Sequence, residues 1–151
     1  KDHLPEIVKN IKKIWDRKDI LIVEGKYSRL GVGNDLFQNS KSLKRILCPE
    51  KNAFNSYEGI LQEVKKHGGD KLILIALGPT ATIMAYDLAK ENFWAVDIGH
   101  IDLEYMWYLK GEKTKTPVEG RLVNETEKQL SLEIPQEFRK NYEDSILAEI
   151  K

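Results

Sequence analysis

The sequence predicts an α/β fold, a three-layer sandwich on a mainly parallel sheet. Two observations predict it. Short, continuous apolar runs rich in β-branched residues recur at 19–24, 44–49, 71–77 and 93–98, as buried parallel strands require. Between them, apolar residues repeat at three- and four-residue spacing, as helices packed on a sheet require.

Each element follows in order. Leu4, Ile7, Val8, Ile11, Ile14 and Trp15 form the apolar face of a first helix. Residues 19–24 form the first strand, bounded by a charge and by Gly25. In the polar, glycine-rich stretch 26–35, Asp35 is expected to cap a short helix through Leu36, Phe37 and Ser40. Residues 44–49 form a second strand stopped by Pro49. Tyr57, Ile60, Leu61 and Val64 form a helix ended by Gly68 and Gly69. Residues 71–77 form the strongest strand and run through Gly78 into a helix with Pro79 in its first turn. Residues 93–98 form the next strand, closed by Gly99 and His100. Beyond it, 110–119 reads as a flexible loop and 120–124 as a last short strand. Residues 138–151 read as a charged terminal helix with Tyr142, Ile146, Leu147 and Ile150 on one face.

The 151 residues suffice for one domain with a sizeable core. Hydrophobic residues at 41% and charged residues at 32% exclude a disordered tail. Lys plus Arg (24) balance Asp plus Glu (24), which argues against gripping nucleic acid or anionic lipid by bulk charge. A local basic site is still allowed. The single cysteine, Cys48, cannot form an internal disulfide or a thiolate metal cluster, and it fits a reducing, cytoplasmic setting. No apolar run is long enough for a membrane span. The chain begins at Lys1 rather than at Met, as a fragment would.

Ligands of open parallel sheets bind outside the carboxyl ends of the strands. The candidates are therefore Glu24, Ser28, Arg29, Gly31, Gly33 and Asn34 after the first strand, and Gly78, Pro79 and Thr80 after the third. Asp97, His100, Asp102 and Glu104 follow at the fourth. The 31–35 stretch is either a cradle for phosphate or ribose, or a turn that needs positive φ. Gly78 to Thr82 either presents a helix N-terminus to an anion, or Thr80 merely closes that helix end. Arg29 pairs with a phosphate, or with Glu24 or Asp35.

Asp102 and Glu104 form an Asp-x-Glu pair. In an extended segment they share a face and can hold one hard cation, Mg²⁺ or Mn²⁺. In a helix they stand about 200° apart, and only one can reach it. His100 orients a carboxylate, touches phosphate, or is structural. One cysteine and three scattered histidines argue against zinc. Tyr105, Trp107 and Tyr108 stack on a ligand or pack in the core. Lys12 with Lys13, and Lys65 with Lys66, read as solvated helix faces.

Four co-ordered stretches carry a family resemblance. They are Val23-Glu-Gly-Lys-Tyr-Ser-Arg-Leu-Gly-Val-Gly-Asn-Asp-Leu-Phe37, Arg45-Ile-Leu-Cys-Pro49 with Asn52-Ala-Phe54, Leu77-Gly-Pro-Thr-Ala-Thr82 with Ala85-Tyr-Asp-Leu88, and Asp97-Ile-Gly-His-Ile-Asp-Leu-Glu-Tyr105. Over residues 14–124 the chain resembles the GT-D fold glycosyltransferases, first described as a domain of unknown function (DUF1792).

The resemblance implies a Rossmann-like fold. It also implies transfer of a hexose, typically glucose, from a UDP-sugar to a glycan or glycoprotein acceptor, as on serine-rich repeat adhesins of bacteria. A divalent cation is implied, with Glu104 as first ligand and Asp102 as second. Donor contacts are implied for the stretch from Arg29 to Asn34 and for Gly78, Pro79 and Thr80. Asp97, His100 and Asp102 are the local candidates for a base. A homo-oligomer is compatible with all of this.

Two departures stand out. The family's N-terminal half, with its Gly-Asp-Gly-Glu-like motif, has no counterpart here, so the resemblance implies the C-terminal part of a larger domain, whose activity alone is in question. Met106 also stands where many relatives are acidic. The alternatives are a nucleotide-sugar-binding module without catalysis and a remnant that supports a partner domain. A dinucleotide oxidoreductase is disfavoured, because no G-x-G-x-x-G follows a strand.

Overall fold

The computed structural model describes residues 3–151. Five parallel strands stand in the order β4-β3-β1-β2-β5. They are β1 (Asp19–Gly25), β2 (Ser42–Cys48), β3 (Leu72–Ala76), β4 (Trp94–Asp97) and β5 (Ile146–Glu149). β1 lies at the centre, with Ile20 opposite Leu43 on one side and Leu72 on the other. It is buried from Ile20 to Gly25, which is why it reads as an unbroken apolar run.

Alternation along the strands sorts the core into two faces. Leu21, Val23, Ile73 and Ile75 pack with Ile60, Val64, Met84 and Leu88. The last four belong to α2 (Tyr57–His67) and α3 (Pro79–Lys90). Ile20, Ile22, Leu72 and Leu74 pack on the opposite face with Val8, Trp15, Ile101 and Tyr105. That face is covered by α1 (Leu4–Ile11), a short 3-10 turn at Lys12–Ile14, and α4 (Ile101–Leu109). The three layers are thus as expected. Each fully buried aliphatic side chain contributes about 1.5–3 kcal/mol. Trp15 also donates from Nε1 to the Leu36 carbonyl at 2.9 Å, tying the first helical segment to the loop after β1.

Three local expectations are corrected. The C-terminal segment is not one helix: α5 (Gln136–Ser145) ends at Ser145, and Ile146–Glu149 forms strand β5 beside β2. Residues 120–124 make no strand, because the Arg121 side chain turns inward and the Leu122 amide bonds to the Tyr27 carbonyl at 3.0 Å. Asp35 caps no helix. Residues 36–40 form turns, and Asp35 is drawn instead to the Tyr105 hydroxyl and to Lys12 Nζ. The 110–119 segment is irregular, as expected, yet it is anchored: Val118 is buried against Trp107, whose Nε1 donates to the Thr116 carbonyl at 2.8 Å.

Candidate active site

The strand order defines where a ligand fits. The chain leaves β1 for β2 on one side, then crosses back to β3 on the other, so the topological switch lies between β1 and β3. A cleft of about 470 Å³ opens at the carboxyl ends of β1 to β4. Gly25, Ser28 and Leu30 enter it after β1, and Pro49, Glu50, Asn52 and Phe54 after β2. Gly78, Pro79 and Thr80 follow β3, while Gly99, His100 and Asp102 follow β4. Leu122, Asn124 and Glu125 close the remaining wall.

Gly78 has φ +57° and ψ −141°, a conformation essentially reserved for glycine. It turns the chain sharply from β3 into α3, with Pro79 at the first helical position, where its missing N–H costs nothing. The helix start thereby lines the cleft with the partial positive charge of its N-terminus, although the Ala81 amide is already bonded to the Gly78 carbonyl at 3.0 Å. Thr80 is buried in that first turn and lines the same wall.

The structure separates the other expected site residues. Ser28 faces the cleft, but Glu24 does not: it is fully buried, accepting from the Leu30 amide and from Arg45 Nη1, each at 2.7 Å. Arg29, at φ +49°, donates from Nη1 to the Gly120 carbonyl at 2.9 Å and the Leu132 carbonyl at 2.8 Å. Its guanidinium staples the loop after β1 to the 120–132 segment, which satisfies neither the phosphate expectation nor a pairing with Glu24 or Asp35. Gly31, Gly33 and Asn34 lie outside the cleft and line a second hollow beside α5.

The loop from Gly31 does cradle an anion, and that anion is Asp102. Oδ1 of Asp102 accepts from the Gly31 amide at 2.8 Å and from Asn34 Nδ2 at 3.0 Å. Its Oδ2 accepts from Arg121 Nε at 2.7 Å. Gly31 must be glycine here: its φ is +79°, and a Cβ would lie 2.6 Å from Phe37 Cδ2.

Asp102 and Glu104 both lie on α4, so the helical alternative holds and the pair diverges. Asp102 is buried and Glu104 is exposed, outside the cleft lining. Among the described residues, no group of three or more His, Cys, Asp and Glu converges on a point where an ion could sit. The Asp-x-Glu pair thus does not fit one shared cation. Met106 stands beside it, with Sδ 3.2 Å from Asn34 Nδ2.

Asp97 is held by Thr82 Oγ1 and by the Gly99 amide, both at 3.0 Å, and does not line the cleft. His100 does, with Nδ1 3.8 Å from Glu125 Oε1. Tyr105 and Trp107 are buried, which settles them as packing residues, while Tyr108 is partly exposed. Burial, then the hydrogen bond to Asp35, pushes the Tyr105 hydroxyl up to about 12; the same bond is the main reason the Asp35 carboxyl lies below its ordinary value.

Arg121, Glu50, Asn124 and Glu125 stand in no motif that points to a role. Their signal is purely tertiary, since no local pattern brings Glu50, Asn124 and Glu125 to the cleft or Arg121 to Asp102. Asn52 and Phe54 stand in the family-like stretch Asn52-Ala-Phe54, whose residue types alone point to no function.

The family model described as "Glycosyltransferase GT-D fold" matches residues 1–126. This chain belongs to the GT-D glycosyltransferase family. The GT-D chain is 52% identical over 105 residues to a protein of Streptococcus gordonii named "Probable glycosyl transferase Gly", over 70% of this chain and 15% of that one. It is 50% identical over 105 residues to "Glycosyltransferase GlyD" of Streptococcus pneumoniae, over 70% of this chain and 13% of that one. A solved structure described as the domain of unknown function 1792 with a distinct glycosyltransferase fold superposes with TM-score 0.91 and 41% identity, over all of this chain and 54% of that one. A second, described as a new glycosyltransferase (DUF1792) from Streptococcus sanguinis, superposes with TM-score 0.89 and 40% identity, over 97% of this chain and 54% of that one. The GT-D chain thus spans about half the length of these solved relatives and a smaller share of the curated ones. No helix among the described residues is long and apolar enough to cross a membrane.

Proposed function

We propose that this chain supplies the nucleotide-sugar cleft of a glycosyltransferase that moves a hexose from a UDP-sugar to a glycan acceptor. Glucose is the first donor to test, and glycans of bacterial surface adhesins are the first acceptors. The expected compartment is the cytoplasm. One observation carries the reading: the cleft at the switch point is walled by the start of α3, where Gly78 and Thr80 face it. A diphosphate placed there meets the positive end of α3 and the Thr80 side chain. These stabilise the charge that develops on UDP as the glycosidic bond breaks.

Asp97 and Asp102 are committed to protein donors. Of the three candidate bases, His100, beside Glu125, is the one left facing the cleft to accept the acceptor's proton. A divalent cation, Mn²⁺ or Mg²⁺, remains the expected companion of the diphosphate, whose oxygens normally provide much of its coordination.

Calorimetry with UDP and UDP-glucose, with and without Mn²⁺, tests the cleft. A hydrogen bond to a charged group is worth about 1.5–3 kcal/mol, so Thr80→Val is expected to weaken UDP at least tenfold. Unchanged affinity overturns the placement. A transfer assay on a glycan-bearing peptide tests turnover. UDP binding without transfer assigns the chain to nucleotide-sugar recognition alone.

A further inference from the structure

We propose that Asp102 and Arg121 are positioning residues that clamp two walls of the cleft, and that Asp102 serves as an internal counter-ion rather than as a ligand for a metal.

Both carboxylate oxygens of Asp102 are already engaged. Oδ2 takes Arg121 Nε at 2.7 Å. Oδ1 takes the Gly31 amide at 2.8 Å, Asn34 Nδ2 at 3.0 Å and Arg121 Nη2 at 3.3 Å. The side chains of the pair are each 3% exposed. A cation on Asp102 would have to displace donors of positive and partial positive charge from a side chain that borders the cleft but is almost wholly covered. Breaking such a buried pair is strongly unfavourable.

Arg121 extends the clamp. Its Nη2 also donates to the Val32 carbonyl at 2.7 Å, so one guanidinium joins α4, the loop after β1 and its own segment. The planar fork suits this three-way grip, which lysine cannot reproduce. Val118 and Val123, on either side of Arg121, are buried against Trp107. The next residue, Leu122, bonds through its amide to the Tyr27 carbonyl at 3.0 Å. Leu122, Asn124 and Glu125 thereby form part of the cleft lining, together with Leu30. Glu125 is the group that meets His100. The geometry of the cleft thus depends on a pair whose members lie 19 residues apart.

The inference depends on the cleft reading only for its affinity readout. The test compares Asp102→Asn, Arg121→Lys and the double variant Asp102→Asn/Arg121→Gln on the full chain. Asparagine presents an N–H₂ group to donors, and lysine keeps the charge but loses the fork. Amide hydrogen exchange at Gly31 and Leu122 is expected to rise at least tenfold in both single variants. The Kd for UDP is expected to rise at least threefold. Mn²⁺ affinity, titrated by electron paramagnetic resonance, is expected to stay within twofold. The double variant is expected to melt above Asp102→Asn, since it no longer buries an unpaired guanidinium.

The proposal is overturned if Asp102→Asn weakens Mn²⁺ at least tenfold while Arg121→Lys does not. Wild-type exchange at Gly31 and Leu122 in both single variants overturns it equally. Should Asp102→Asn fail to fold, Arg121→Lys carries the same exchange comparison. A wild-type chain that binds no UDP refutes the cleft reading, while the exchange and Mn²⁺ measurements still decide this one.

Discussion

Arg45 Nη1 donates to Glu24 Oε2 at 2.7 Å across the β1–β2 pair, with Glu24 fully buried and Arg45 nearly so. Glu24 Oε1 takes the Leu30 amide at the same distance, and Arg45 Nε reaches Ser145 Oγ at 2.9 Å. One ion pair thus links the central strand, the loop beside the cleft and the end of α5. Removing one partner leaves a charge sealed from water, which costs about 3–5 kcal/mol. Glu24→Ala is therefore expected to lose that much stability in urea denaturation. A loss below about 1 kcal/mol would contradict the burial of the pair.

Two glycines make opposite demands on a methyl group. At Gly31 a Cβ meets Phe37 at 2.6 Å, whereas at Gly78 it meets nothing within 4 Å. Both have positive φ. Gly78→Ala is expected to cost backbone strain alone, about 1–3 kcal/mol. Gly31→Ala is expected to add an overpacking term of about 1–3 kcal/mol. Gly31→Ala/Phe37→Leu should recover part of that second term and none of the first. Equal melting temperatures for the two single variants would refute the distinction.

The tyrosines set the alkaline limit. Burial is the first cause raising Tyr57, Tyr105 and Tyr142, with Tyr105 at about 12 against an ordinary 10.0. Burial likewise pushes the Cys48 thiol to about 12 from 9.0. The folded chain holds these protons more tightly than the unfolded one. Their contribution is complete below the unfolded values and is lost as pH rises through the folded ones. The urea midpoint is therefore expected to fall steadily from about pH 9 to pH 12, with tyrosinate absorbance delayed relative to free tyrosine. Tyr105→Phe should shrink that fall and remove the main force lowering Asp35. A flat midpoint across this range would refute the assignment.

The strands that build the cleft were legible because each is a continuous apolar run between turn residues, and in a parallel sheet such runs are buried on both faces. β5 was hidden by competing periods. Tyr142, Ile146 and Ile150 fit a helical spacing, yet Ile146 and Ala148 alternate with the more exposed Leu147 and Glu149. Pairing with β2, about 100 residues earlier in the chain, decided between them. Gly78 and Thr80 line the cleft because a strand end fixes their place locally. Asp102, Arg29 and Glu24 share one property that no local pattern reveals. Each is a charged group near a strand end, and each finds its partner inside the protein at long sequence separation.

Phe54 stands on the cleft wall with 57% of its surface exposed, tilted against Tyr57 at a centroid distance of 5.3 Å. Burial in the core does not explain an aromatic ring left in water there. Its place in the cleft wall suits stacking against the base of the proposed donor, an interaction worth about 1–3 kcal/mol per base. Phe54→Ala is expected to raise the Kd for UDP about 5- to 150-fold by that energy, while leaving the melting temperature almost unchanged. Glucose 1-phosphate, which has no base, should lose little affinity in the same variant. Equal losses for the two ligands would place the uracil elsewhere in the cleft and leave Phe54 to the sugar or the acceptor.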